Sequence, residues 1–267
     1  MAEPVRYRVT EAVTTVSIVD PDRRNILTPA VVEGLEEALT AGTDTRCLLL
    51  RGEGETFCAG GDLAGIVSHA NGELTSDALL DRLERIDALI ERLYRFPAPT
   101  VAAVEAPAFG IGGALVLACD LAIGAASAGI GFGFGRVGMA PGGGTSVLLP
   151  RAVGPSTARE LLFTGELIDP DRAAALGLFD RVYPEQDFRT GVASFVDAIA
   201  SDGRDPTLEA KRLLTENDGV SLSAAMAAER AAQRRLLGTD AQRERVRSFQ
   251  DGGESGLEND PSTVDEE

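Results

Sequence analysis

Apolar and polar residues alternate at the start of the chain, in VRYRV (5–9) and again in VTTVSIVD (13–20). A period of two marks a half-buried strand, and two such runs a few residues apart predict a β-hairpin. Asp20-Pro21 breaks the second run. From Thr28 the period changes. Thr28 and Pro29 form a capping residue with a first-turn proline, and Val31, Val32, Leu35, Ala38 and Leu39 share one helical face. RCLLLRG (46–52) is short and continuously apolar, as a buried strand requires. The segment ETFCAGGDLAG has loop character. It precedes an amphipathic helix near 77–95 with Leu79, Leu83, Ile86, Ile90 and Leu93 in register. TVAAVEA (100–106) and DLAIGAA (120–126) are further buried strands, separated by a short apolar helix over 112–119. Alternating helices and continuously apolar strands predict an α/β core with parallel pairing.

Beyond Pro141 the windows near 144–152, 156–163, 170–176, 186–200, 206–216, 221–236 and 239–249 all have helical patterns. LFDRVYP is the one strand-like break. The expected organisation is therefore a strand-rich core over 1–180, a helical region over 181–250 and an acidic, disordered tail over 251–267.

Charge narrows the partners. The 267 residues carry a formal net charge of −17, which argues against nucleic acid or an anionic membrane, since phosphate contacts need clustered Lys and Arg. Lys211 is the only lysine among 25 basic residues. An acidic surface almost without lysine resembles a halophilic proteome, in which carboxylates hold water and cations; a GC-rich genome with an acidic tail is the alternative. Cys47, Cys58 and Cys119 are widely spaced, with no C-x-x-C, so a reducing, cytoplasmic interior is expected rather than a disulfide framework. His69 is the only histidine, which leaves no histidine metal cage, and no metal is expected. MAEPVRYRV has no apolar leader. The apolar stretch 98–123 is broken by Glu105 and Asp120, so it does not span a membrane.

Glycine-rich stretches carry the candidate chemistry. GFGRVG (133–138) formally matches G-x-G-x-x-G, but a dinucleotide fingerprint needs a helix directly after it, and Met139, Ala140 and Pro141 delay one. No G-K-[ST] and no G-x-S-x-G occurs, which excludes a P-loop and a nucleophile elbow. CAGGDL (58–63) and PAFGIGGALVLACD (107–120) each follow a buried strand and lead into helical sequence. Two such loops can aim two backbone N–H groups at one point, at helix N-termini where negative charge is favoured. Two glycine turns that only pack helices are the plain alternative.

The order FCAGGDL, VEAPAFGIGGALVLACDLAI, GRVGMAPGGGTSVLLPRAVG and ARELLFTGELIDPDRAAALGLFDRVYP resembles the enoyl-CoA hydratase/isomerase (crotonase) family, collinearly from about residue 5 to 250. That resemblance implies a β-β-α spiral core, a helical C-terminal trimerisation region, and a homotrimer or dimer of trimers. It also implies an acyl-CoA thioester as substrate, with coenzyme A part of the substrate and no separate cofactor. The thioester oxygen would face the amides of Gly61 and Ile111. Ala59, Asp62, Leu63 and Ala64 would lie along the thioester arm, with Arg24, Asn25 and Ile26 near the pantetheine and adenine, and Phe134 in the pocket wall.

The same alignment puts Ala114 and Phe134 where hydratases of this family keep two glutamates. Neither transfers a proton, which counts against hydration. A double-bond isomerase or another enolate reaction needs one acid–base group; a non-catalytic acyl-CoA-binding protein needs none. Glu105, ending its strand before the second amide loop, is one acid–base candidate, with bonding to loop amides as its alternative role. The helix that roofs the pocket offers Asp77, Asp81, Glu84 and Asp87, although acids on an amphipathic helix ordinarily form its solvated face. Asp62 and Asp120 are expected to brace loops and helix starts.

Overall fold

A computed structural model of the chain describes residues 3–10, 12–201, 204–217 and 219–251. Of the tail expected over 251–267, residues 252–267 lie outside the described residues.

The hairpin forms as its alternation requires: β1 (Val5–Val9) pairs antiparallel with β2 (Val13–Ile18). A 3-10 turn at Pro21–Arg23 leads to α1 (Pro29–Ala41), whose Thr28 cap accepts the Val31 N–H. Val31, Val32, Leu35, Ala38 and Leu39 are its buried residues, the stripe its period predicts. Then come β3 (Cys47–Gly52), α2 (Leu63–Ala70), α3 (Ser76–Tyr94), β4 (Thr100–Val104), β5 (Ala108–Phe109), α4 (Ile111–Ala118), β6 (Leu121–Ala125) and β7 (Ile130–Gly131). The chain continues with α5 (Thr145–Thr164), β8 (Leu167–Ile168), α6 (Pro170–Ala175), β9 (Arg181–Tyr183) and α7 (Glu185–Ser201). Three helices close it: α8 (Arg204–Glu216), α9 (Leu222–Leu236) and α10 (Asp240–Asp251). α5 is a helical run broken at Gly154 (φ 78°, ψ 159°), ahead of Pro155, so both windows expected there are helical with a kink between them.

The large sheet has the order β1-β2-β3-β4-β6-β9 and is parallel from β2 onward. A smaller set of pairings runs alongside it. Leu27 bridges Gly61, Cys58 bridges Ala108, and β7 pairs with both β5 and β8. One pattern therefore recurs: a strand in the large sheet, a short segment in the small one, then a helix. It is traced by β2, Leu27 and α1; by β3, Cys58 and α2; by β4, β5 and α4; and by β6, β7 and α5. This is the β-β-α spiral that the resemblance implies. Strands of two residues carry no periodicity, so β5, β7 and β8 are absent from the expectation above.

A first compact unit runs through Lys211 and a second begins at Arg212. α7 belongs to the first, where Phe188, Val192, Val196 and Ala200 pack with Cys47, Val101, Ala103 and Ile123 of the sheet. Lys211, the single lysine, is buried: Nζ donates to Ala98 O (2.9 Å) and to Asp120 Oδ2 (2.7 Å). The same Asp120 oxygen accepts the Thr100 N–H and hydroxyl, so the acid braces the start of β4, as its position suggests. Among the described residues no helix is long and apolar enough to cross a membrane.

Candidate active site

Three loops converge where the large sheet hands over to the small pairings. The first, 20–27, bends through Arg24 and Asn25, both at φ 54°. Left-handed backbone is uncommon outside glycine, and Asn tolerates it better than most. Asn25 is fully buried and its amide is consumed: Oδ1 accepts the Asp20 N–H, while Nδ2 donates to Glu53 O (2.9 Å) and Thr56 O (2.6 Å). Its side chain thus ties the first loop to the end of β3 rather than facing a ligand. Arg24 and Ile26 remain accessible. Arg24 O accepts the Ala59 N–H (3.0 Å) and the Leu27 N–H donates to Gly60 O (2.8 Å), which clips the first loop onto the second.

The second and third loops touch directly. Phe109 N–H donates to Cys58 O (2.9 Å). Gly60 has φ 112°, and a Cβ on it would stand 3.0 Å from Phe109 O and 3.8 Å from Ile111 N. A Cβ on Gly112 would come within 2.0 Å of Cys58 O, so only glycine permits this approach. Gly61 directly precedes Asp62, the cap of α2, whose carboxylate accepts the Ala64 N–H (3.0 Å). Ile111 is the first residue of α4. Neither the Gly61 nor the Ile111 N–H donates to an acceptor among the described residues. For Ile111 that is the ordinary state of a first-turn amide. The outward side of Gly61 is open, with nothing within 4 Å of where a Cβ would sit. Two unengaged donors thus lie close together at helix starts, the arrangement that suits a developing negative charge.

A cavity of about 290 Å³ opens from Gly61 between α1, α2 and α3, with Leu27, Val32, Ile66, Leu79, Leu83 and Ile86 in its walls. Asp62 lines it, while Leu63 and Ala64 are exposed on the first turn of α2. Ile111 Cδ1 lies against Gly142 and Gly143 of the turn that enters α5. Ala114 is fully buried and Phe134 is nearly so, and both belong to the main core. The glycine-rich run packs on an aromatic ring: Cβ atoms at Gly131 and Gly133 would overlap Phe109, and Arg136 lies over that ring at 5.4 Å. Gly131 and Gly133 thus leave room for the Phe109 ring.

Glu105 lies elsewhere. Its carboxylate pairs with Arg189 (3.3 Å) in a cavity shared with Arg51, Glu53, Ser127 and Glu185, and its backbone O accepts the Ser127 hydroxyl. Gly61 and Ile111 are not in that cavity. Of the four acids on α3, Asp77 and Glu84 are exposed, and Asp81 lines the cavity beside α1. Asp87 differs from them, because its Oδ1 accepts the Gly143 N–H at 3.0 Å. His69 Nδ1 is occupied by Leu74 O. Burial pushes the Cys58 thiol up to about 12, so no thiolate nucleophile stands beside the amide loops.

Two helix starts brought side by side on a β-β-α spiral define the class of fold. The comparisons agree with that class. The model of the enoyl-CoA hydratase/isomerase family matches residues 8–258. Enoyl-CoA isomerase/hydratase fer4 of Mycosarcoma maydis is 31% identical over 206 residues, which is 77% of this chain and 73% of that protein. The crystal structure of an enoyl-CoA hydratase from Bacillus anthracis superposes with a TM-score of 0.87 at 28% identity, covering 93% of this chain and 96% of the other. An enoyl-CoA hydratase from Polaromonas sp. JS666 gives 0.86 at 29% identity, covering 93% and 97%. The chain belongs to the enoyl-CoA hydratase/isomerase family.

Proposed function

We propose that the chain is an acyl-CoA enzyme, a lyase or isomerase of fatty acid metabolism, that polarises a bound thioester and stabilises its enolate with the Gly61 and Ile111 amides. The observation that carries this reading is the contact of Gly60 with the Phe109–Ile111 backbone, which gathers two unengaged N–H groups at the starts of two helices. Each such donor is worth ~3 kcal/mol at an oxyanion in a water-poor site. Coenzyme A enters as part of the substrate, and no separate cofactor is needed. Arg24 and Ile26 on the first loop, with Ala59 and 62–64 on the second, form the edge along which its arm would lie.

The apolar Ala114 and Phe134 favour double-bond migration or another single-base enolate reaction over hydration. The same two residues support a second reading, a non-catalytic acyl-CoA-binding protein of this fold. A homotrimer or dimer of trimers is supported by the exposed apolar residues of the second unit, among them Leu214, Leu222 and Phe249. The acid-rich, lysine-poor composition supports a salt-rich cytoplasm.

An enoyl-CoA chromophore tests the proposal. Bound to the purified protein in high salt, it is expected to show a red-shifted, polarised enoyl band. Gly61→Pro, verified as folded by circular dichroism, is expected to abolish the shift and reduce turnover on the order of 10²- to 10³-fold. Binding without a spectral shift would leave only the non-catalytic reading; no binding at all would sink both.

A further inference from the structure

The register of the large sheet carries two rows of side chains straight across four strands. In one, Arg6 stands opposite Ser17, Ser17 opposite Arg51, and Arg51 opposite Ala103. The next is Arg8, Thr15, Leu49 and Val101. Paired positions share a face, and positions two apart share it too. Val101 and Ala103 pack with Phe188 and Val192 of α7, so both rows lie on the face opposite to α1. α7 covers their β4 end, while Arg6, Arg8 and Arg51 remain exposed. The step between covered and open sheet holds a cavity of about 450 Å³. Leu49 and Ala103 lie in its floor, α7 supplies a wall, and Arg6, Arg8, Arg51 and Arg189 line it.

Four arginines meet two acids in this groove, Glu53 and Glu105. Glu105 is matched to Arg189 (3.3 Å). Arg6 (3.1 Å) and Arg51 (3.8 Å) share Glu53, and Arg51 Nε also donates to Ser17 Oγ at 2.8 Å. Arg8 makes no hydrogen bond or ion pair to a described residue. Positive charge is therefore in excess at the β1 end, on a chain whose formal net charge is −17. The adjoining cavity adds Glu55 and Glu185 and is the acidic end. Arginines on an edge strand also discourage strand-to-strand association, but that role needs no cavity beside them.

We propose that this groove binds a small organic anion, a carboxylate on a hydrocarbon body. A guanidinium fork matches a carboxylate through two parallel hydrogen bonds, and Arg8 has its donors to offer. The hydrocarbon would lie on Leu49 and Ala103. A phosphate is held best by free backbone N–H groups, whereas β2 and β3 are hydrogen-bonded to a strand on either side. The volume suits one small molecule. None of the four arginines lines the cavity that opens from Gly61. The groove is thus a second ligand site, and it does not depend on the reading of the amides.

Octanoate is the probe, titrated calorimetrically into the unmodified protein, alone and with octanoyl-CoA at saturation. A single octanoate per chain is expected in both titrations, because the two ligands take different sites. Arg8→Gln changes an exposed edge-strand residue and is expected to leave thermal melting and octanoyl-CoA affinity unchanged. Its octanoate affinity is expected to fall about tenfold or more. Arg8→Lys keeps the charge without the fork and is expected to fall between the two. 1-Octanol, with the same hydrocarbon and no charge, is expected to bind at least about tenfold more weakly than octanoate. The assignment is overturned if octanoyl-CoA displaces octanoate, or if Arg8→Gln binds it as tightly as the unmodified protein does. Octanol or inorganic phosphate binding as tightly as octanoate would overturn it too, as would no octanoate binding at all. A protein that binds octanoate but no octanoyl-CoA would leave the groove standing and overturn the amide reading alone.

Discussion

The two halves of the candidate site are built from different materials. Where the thioester oxygen is proposed to sit, the donors are backbone amides, fixed by the Leu27–Gly60 and Phe109–Cys58 hydrogen bonds and by the close approach of Gly112 to Cys58. Where protons would move, the chemistry belongs to side chains, and Ala114 and Phe134 have none to offer. The contrast shows which half is free to change. A backbone donor persists under any substitution except proline, but its position depends on packing across the spiral. A side-chain acid is removed by one substitution that leaves the same helices packed. A fold of this kind can therefore retain its oxyanion site while its proton chemistry is relocated.

Breaking the amide half is expected to have the largest effect. Gly112→Ala drives a methyl group to 2.0 Å from Cys58 O, and the two loops must separate. A loss of about 3 kcal/mol or more is expected in chemical denaturation, at the upper end for overpacking, together with loss of acyl-CoA binding in titration calorimetry. If the variant melts like the unmodified protein, the contact between the loops is not what holds the amides together.

A milder perturbation is alkaline. Cys58, Cys47 and Cys119 are each pushed from 9.0 up to about 12, by burial first; a nearby Asp120 adds to the rise at Cys47 and Cys119. A raised folded pKa means that the buried neutral thiol contributes stability fully below pH 9 and loses it as pH rises towards 12. The unfolding midpoint in urea is therefore expected to fall across that window, and native thiols are expected to stay unreactive to a disulfide reagent at neutral pH. Rapid labelling of Cys47 or Cys58 in the native protein would contradict their burial.

The smallest effect sharpens the proton half. Glu105 pairs with Arg189, whose side chain is 81% exposed, and exposed pairs contribute little. Glu105→Gln is expected to change stability by less than about 0.5 kcal/mol and to leave exchange of acyl-CoA C2 hydrogens in deuterium oxide unaltered. A large loss of exchange would return Glu105 to the reacting centre.

Much of the fold is legible in the periodicity. The buried face of α1 is the five residues its spacing marks, and the parallel core follows from β3 and β4, whose runs are almost unbroken in their apolar character. The small sheet is not legible, because two-residue strands have no period and exist only through pairing across long stretches of sequence. Of the site, the glycines of both amide loops are visible as a pattern. The role of Asn25 is hidden, since two of its three partners, Glu53 and Thr56, come from a distant segment. Asp87 is hidden for the same reason. On α3 alone it is indistinguishable from Asp81 or Glu84; tertiary packing separates them, since Asp87 accepts the Gly143 N–H and Asp81 lines the cavity that opens from Gly61.

The buried Lys211 has a consequence for covalent damage. A thioester is an acylating agent: a free amine attacks its carbonyl carbon, and the thiol leaves. A protein proposed to hold acyl-CoA is steadily exposed to that side reaction. Here the only lysine amine is enclosed and ion-paired with Asp120, and apart from His69 the remaining basic side chains are guanidinium groups, which stay protonated and are poor nucleophiles. Whatever selected this composition, it leaves no accessible lysine for the substrate to modify.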